Sequence, residues 1–250
     1  MSKNTLKGNF AEKVDIGKVR RTNEDRSFAA VNANGDVILA VCDGMGGENK
    51  GDLASSLTIE TIDELFQKNK KFKYIWNAKK FIKKCFKIAN KSVYNESHTH
   101  EMYKDMGTCV SIAIISNQFL VIGHMGDTRI YKFYNGKLEQ MTTDHNLAQR
   151  AYRTGQITKE EISTYKDRHV LTNALGIHKV AASDIEEFDY HGENILVCSD
   201  GLYNNVSETE LLTILKGNDT TSQKVNEMIS LANANGGSDN ISAVLWEFKK

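Results

Sequence analysis

The chain has 250 residues with 32 basic and 32 acidic side chains, so its formal net charge is zero and no strong field draws it to nucleic acid or a membrane surface. That length suits one layered sheet-and-helix domain over residues 1–250, large enough to bury a core without disulfides. Cys42, Cys85, Cys109 and Cys198 have apolar neighbours and no C-x-x-C spacing, which reads as four buried free thiols rather than a zinc or redox site. The opening MSKNTLKGNF has no apolar leader region, and runs such as FLVIG are far shorter than a membrane span, so a monomer in the cytoplasm is expected. Proline is absent, and the sequence offers no functional reason for it.

Residues 26–32 and 36–43 read as two strands joined by the turn NANGD; the second is an apolar run that stops on Asp43 and a glycine loop. Leu53, Leu57, Thr61 and Leu65 then recur at helical spacing, with Ala54 and Ile62 beside them. A basic run, 67–80, is expected to be the solvated start of a second helix, whose stripe is Ala78, Phe81, Ile82, Cys85, Phe86, Ala89 and Val93. Strands follow at 108–116, 118–125, 128–136 and 137–142, and the short turns SNQ and YNGK suit antiparallel hairpins. Segment 143–176 is polar, charged and weakly periodic, with Thr158 and Glu161 placed to cap one short helix. An insert of that length is expected to be functional or mobile. Strands at 184–190 and 194–200 precede a helix opened by Ser207 with Glu210 three residues on, a capping box. Val225, Met228, Ile229 and Ala232 mark the last helix, and 241–248 the last strand. The strand groups with interleaved helices predict an α+β fold of sheets covered by helices.

Acidic residues recur at the ends of these strands. VILAVCDG ends on Asp43, NILVCSDG on Asp200 and FLVIGHMGD on Asp127. GGSDNISAVL puts Asp239 ahead of a strand, and RTNEDRSF puts Glu24 and Asp25 ahead of another. Strand ends share an edge of a layered sheet, so these acids can converge. Gathered carboxylates repel and need a counter-charge, and an all-oxygen set suits magnesium or manganese. The glycines after Asp43 let backbone approach an ion closely, with the Gly44 carbonyl as a further ligand. A phosphate-cradling P-loop is excluded, because GMGGENKGD lacks its lysine and hydroxyl in the required order. The residues alone carry the reading to a magnesium or manganese site in a sandwich of mixed class.

Eight stretches together resemble the metal-dependent protein serine/threonine phosphatases of the protein phosphatase 2C family, in its short bacterial form. They are DIGKVRRTNEDRSF (15–28), VCDGMGGENKG (41–51), MGTCVSIAI (106–114), GDTRIY (126–131), TDHNLA (143–148), RHVLTNALG (168–176), LVCSDGLYNNV (196–206) and GGSDNISAVL (236–245). They occur in the family's order over nearly the whole chain. The resemblance implies a four-layer α/β/β/α sandwich with two central antiparallel sheets flanked by helices. It implies a binuclear Mn2+ or Mg2+ centre with a weaker third ion. Asp43 would bridge two ions, the Gly44 carbonyl would complete one, and Asp200 and Asp239 would hold the other. Glu24 and Asp25 would act through water, and Asp127 would share the third ion with Asp200. Arg20 matches the arginine that holds the substrate phosphate. Met45 stands where many eukaryotic members have a histidine, which leaves the general acid unassigned. Segment 143–176 matches a flap beside the site. The implied reaction is hydrolysis of phosphoserine and phosphothreonine esters by direct attack of a hydroxide bridging the two ions. The substrates would be phosphorylated proteins, including a serine/threonine kinase. A phosphatase-like sensor without activity should have lost metal acids, and this chain keeps them. A hydrolase of small phosphoesters would share the same centre.

Overall fold

The computed structural model describes residues 6–46 and 50–249. The first five residues of the opening stretch MSKNTLKGNF, and the part of the glycine loop formed by Gly47, Glu48 and Asn49, lie outside the described residues. Among the described residues ten strands make two antiparallel sheets. The first has the order β1 (Gly8–Asp15), β10 (Ile241–Phe248), β9 (Asn194–Cys198), β6 (Arg129–Tyr134), β7 (Lys137–Gln140). The second runs β2 (Asp25–Val31), β3 (Val37–Met45), β4 (Gly107–Ile115), β5 (Phe119–Met125), β8 (Asp184–Asp189).

Three apolar clusters define four layers, and strand alternation builds all three. In β3 the side chains of Ile38, Ala40 and Cys42 face α1 (Lys50–Gln67) and α2 (Ile75–Ser97), packing on Ala54, Ile62, Phe81 and Ile82. Val37, Leu39 and Val41 point the other way and meet Ile130, Val197, Val244 and Trp246 of the opposite sheet. On the far side, Leu196, Cys198, Ile241 and Leu245 pack under α5 (Glu208–Lys216) and α6 (Thr221–Ala234). A strand covered on both faces reads as an unbroken apolar run, which is why β3, β4 and β9 were plain in the sequence. This is the expected α/β/β/α sandwich. Among the described residues no helix is long and apolar enough to cross a membrane.

Local structure departs from expectation in four places. Strand β1 was not foreseen: it is a half-exposed edge strand, and its polar composition hides a full register with β10. The basic run 67–80 is not simply the start of a helix; it spans the end of α1, a connecting loop in which Phe72 is buried, and the first turn of α2. Thr158 donates its N–H to Glu161 Oε2 at 2.7 Å as a cap would, but only a 3-10 turn follows at Ile162–Thr164. Instead the helix of this segment is α3 (Leu147–Arg153), whose cap is the Asn146 side chain accepting from Gln149 N–H. A single turn, α4 (Asp200–Tyr203), follows β9. The Ser207–Glu210 capping box is formed, and Thr220 with Gln223 makes another at α6.

Candidate active site

The alternation that sorts the core also aims the acids. Asp43 continues the Val37, Leu39, Val41 series, so it projects between the sheets where β3 ends. Asp25 is paired directly with Asp43 across β2 and β3 and therefore shares that face. Asp200 starts α4 just past β9, Asp239 precedes β10, and Asp127 follows β5. All meet at one end of the inter-sheet space. A pocket of about 620 Å3 there is lined by five carboxylates, Glu24, Asp43, Asp127, Asp200 and Asp239, with Arg20 and Gly44. Of the residues expected at the site, only Asp25 does not line it. That side chain is 1% exposed and lies beneath the pocket.

Three observations test whether this pocket fits divalent cations. First, both oxygens of the buried Asp25 carboxylate lack a hydrogen bond among the described residues. Second, the acids are strained against ionisation. Burial, followed by the charges of Asp25, Asp200 and Asp127, pushes the Asp43 carboxyl far above the usual range. Burial does the same to Asp200, with Asp127 and Asp239 adding. Burial also lifts Asp25 to about 7 and Asp127 to about 6. Third, backbone crowds the Gly44 position: a Cβ there would collide with the carbonyls of Gly51 and Glu24. Oxygen donors and repelling carboxylates fit magnesium or manganese, while the crowding at Gly44 shows that this position admits no side chain. The fit is one of donor chemistry: among the described residues no three His, Cys, Asp or Glu side chains close on one point, and the carboxylates ring the pocket instead.

Arg20 donates from Nη2 to Asp239 Oδ2 at 2.7 Å. That hydrogen bond, ahead of the charges of Asp239, Asp200 and Asp43, holds its guanidinium above the ordinary range. Cys109 lines the pocket, and burial followed by the charges of Asp127 and Asp43 keeps its thiol well above the usual range.

Sequence reading missed several residues of the pocket. Asn240 is buried and ties three pieces of backbone together: it accepts from Glu24 N–H at 2.8 Å and donates to the Ile16 and Thr22 carbonyls at 2.9 and 3.0 Å. Its signal in the sequence is the S-D-N stretch, in which it directly follows Asp239. Arg168 and His169 also line the pocket, and they come from the RHVL stretch of segment 143–176. Arg129 grips Asp144 through Nε and Nη2 at 3.0 and 2.8 Å and lies over the Tyr203 ring at 3.6 Å. Tyr203 in turn donates to the Asp127 carbonyl at 3.0 Å, so this basic residue braces the site from behind.

Segment 143–176 is firmly attached at both ends. His145 donates its N–H to Gly126 O at 2.7 Å, and its Nδ1 accepts from Gly126 N–H at 3.2 Å and from Asn173 at 3.1 Å. Leu175 exchanges two backbone hydrogen bonds of 3.0 Å with Thr108. Only the middle, around 155–168, is exposed throughout apart from a few half-buried side chains.

The family model described as protein phosphatase 2C matches residues 18–246. The chain belongs to the protein phosphatase 2C family. Relatives carry the same reading. The serine/threonine phosphatase stp of Listeria monocytogenes serotype 4b is 33% identical over 236 residues, 94% of either chain. Protein phosphatase PhpP of Streptococcus pneumoniae serotype 2 is 28% identical, over 92% of this chain and 94% of that one. The fold is similar to that of the S. agalactiae serine/threonine phosphatase, with TM-score 0.91 and 27% identity over 97% of this chain and 100% of that one. It is also similar to the catalytic domain of the phosphatase PstP solved with 2 manganese ions, with TM-score 0.85 and 28% identity over 98% and 100% of the two chains. This protein phosphatase 2C is a metal-dependent serine/threonine phosphatase acting on phosphorylated proteins.

Proposed function

We propose that the pocket between the sheets hydrolyses phosphoserine and phosphothreonine esters by direct attack of water on phosphorus, without a phospho-enzyme. The observation that carries this reading is the ring of five carboxylates with Arg20 and Arg168 at a single mouth. Asp43, the Gly44 carbonyl, Asp200 and Asp239 would hold two Mn2+ or Mg2+ ions. Asp127, beside Asp200, would help to hold a weaker third, and Glu24 and Asp25 would steady coordinated water. Bound ions supply charge neutralisation and an activated water for in-line displacement. The chain's own part is to bind and orient. Arg20 presents a planar fork to two phosphate oxygens once its contact with Asp239 is given up. Asn240 fixes the backbone of 16–24, and with it the position of Arg20 and Glu24. Segment 143–176 acts as a flap that contacts the protein substrate. The proposal includes a serine/threonine kinase among the substrates, carried by the family resemblance, and a monomer acting in the cytoplasm.

The test is phosphate release from a phosphothreonine peptide. Activity should vanish in excess chelator and return with manganese or magnesium, and much less with calcium, which prefers more ligands and looser geometry. Metal content measured alongside should give two tightly held ions and a third retained only at high concentration. Full activity of metal-stripped enzyme in chelator would exclude the reading. Equal or faster turnover of free nucleotides would favour a small-phosphoester hydrolase.

A further inference from the structure

The catalytic pocket is flanked by two cavities of different character. One cavity of about 400 Å3 is lined by four apolar side chains, Met45, Leu171, Ala174 and Ile177, and by four polar ones between His169 and His178. Met45, His169 and Leu171 line this cavity and the catalytic pocket alike, so the two form one continuous depression. A second cavity of about 300 Å3, which shares His169 with the first, is lined mostly by charged and polar groups, among them Arg129, Asp144 and Arg168. It too opens into the catalytic pocket, through Asp127, Arg168, His169 and Asn204.

The apolar wall is built in advance of any ligand. Leu171 sits on an antiparallel bridge with Asn146, and Leu175 on one with Thr108. Gly176 N–H donates to Asn90 Oδ1 at 2.8 Å, and Asn90 Nδ2 donates to the His178 and Lys179 carbonyls at 3.0 and 3.2 Å. The Ile177 side chain covers Gly107, where a Cβ would stand only 2.8 Å from its Cδ1, yet Ile177 remains 37% exposed. A half-exposed apolar side chain on rigid backbone, next to a reaction centre, gains most from a partner that removes its water.

A protein substrate with its phosphorylated side chain in the pocket must lead its backbone away across these walls. An extended chain advances about 3.3–3.6 Å per residue, so the residue one or two removed from the phosphorylated one lies over the neighbouring cavity. We propose that the Met45–Leu171–Ala174–Ile177 cavity is a specificity subsite that takes an apolar side chain on one side of the phosphorylated residue, while the other side faces the polar cavity. The proposal rests on the phosphatase reading of the central pocket. Among the described residues the apolar cavity is lined by no lysine or arginine, so an acidic side chain entering it finds no fixed cation.

The experiment measures kcat/KM of the full chain with manganese on phosphothreonine peptides that differ only at the residues flanking the phosphothreonine. Each flanking position carries Leu, Ser, Asp or Lys in turn. Leu should exceed Asp by roughly tenfold or more on one side only, as expected for a hydrophobic pocket. Rates are normalised to each variant's own hydrolysis of p-nitrophenyl phosphate, a substrate that has no flanking residues. Ile177→Ser should bring the Leu-to-Asp ratio close to one, and Ile177→Lys should invert it in favour of Asp, which a misfolded protein could not do. Absence of a one-sided preference overturns the subsite. A preference that Ile177→Ser and Ile177→Lys both leave intact overturns its location. Failure of the unaltered enzyme to hydrolyse p-nitrophenyl phosphate with manganese overturns the phosphatase reading, and the subsite with it.

Discussion

Arg20 and Asn240 show how two polar residues at one mouth differ in what they contribute. Arg20 is half-exposed and pairs with Asp239 where solvent still reaches both. Such an ion pair adds little to folding, typically under about 1 kcal/mol. Its weight is in the reaction: a charge-assisted contact to phosphate is worth roughly 1.5–3 kcal/mol. Arg20→Ala should therefore lower kcat/KM on a phosphothreonine peptide by about tenfold to a hundredfold and leave the melting temperature almost unchanged. An unaltered kcat/KM would remove Arg20 from the phosphate site. Asn240 is the reverse case. It is buried and makes hydrogen bonds to the backbone of Ile16, Thr22 and Glu24. With each worth about 0.5–1.5 kcal/mol net, Asn240→Ala should destabilise the fold by roughly 2–4 kcal/mol in urea unfolding. Loss of manganese affinity should accompany it, because Glu24 and Arg20 hang from the same backbone. A variant as stable as the parent would show that the loop holds itself.

At the level of elements, the contrast lies inside segment 143–176. Its polarity suggested a mobile insert, but the polar residues at its base are engaged. Asn146 caps α3, His145 binds Gly126 and Asp184, and Asn173 binds His145 and the Ala182 carbonyl. Ala148, Ala151, Ala174 and Leu175 are buried. The middle turn around 155–168 has mostly short-range backbone bonds and little burial. Hydrogen exchange should thus divide the segment: the amides of Leu147, Thr172 and Leu175 should be strongly protected, and those of 155–168 should exchange orders of magnitude faster. Uniform fast exchange across the segment would show that the base is not anchored. A firm base with an exposed tip can vary its tip without moving Leu171 or Ile177, which keeps the walls of the pocket constant.

Across the whole molecule, two sheets place buried acids at one end of their interface, and the cost appears in the pH dependence. Asp25 is raised to about 7 and Asp127 to about 6, with burial the main cause, and Asp43 and Asp200 are raised further. An acid whose folded pKa exceeds its unfolded value of about 3.8 binds protons more tightly when folded. Its stabilising contribution is complete below that value and is lost as pH rises through 6 and 7. The chelated protein should melt at progressively lower temperature from pH 5 to pH 8, and manganese should raise the melting temperature more at pH 8 than at pH 5. A chelated protein whose melting temperature climbs over this window would contradict the linkage. The sequence by itself determined the acids, the buried strands and the helix stripes, because burial on both faces, period and strand-end punctuation are local signals. It also carried the family motifs, since their order survives in one dimension. It did not reveal β1, whose edge position leaves it polar, nor the bracing by Asn240, Arg129 and His145, which bind residues 216, 15 and 19 or more positions away. Nor could it distinguish Asp25 from its neighbour Glu24: strand alternation sends one carboxylate beneath the pocket and leaves the other on its wall. Only the packing of the two sheets decides which acid is buried, because desolvation depends on what covers a residue and not on what precedes it.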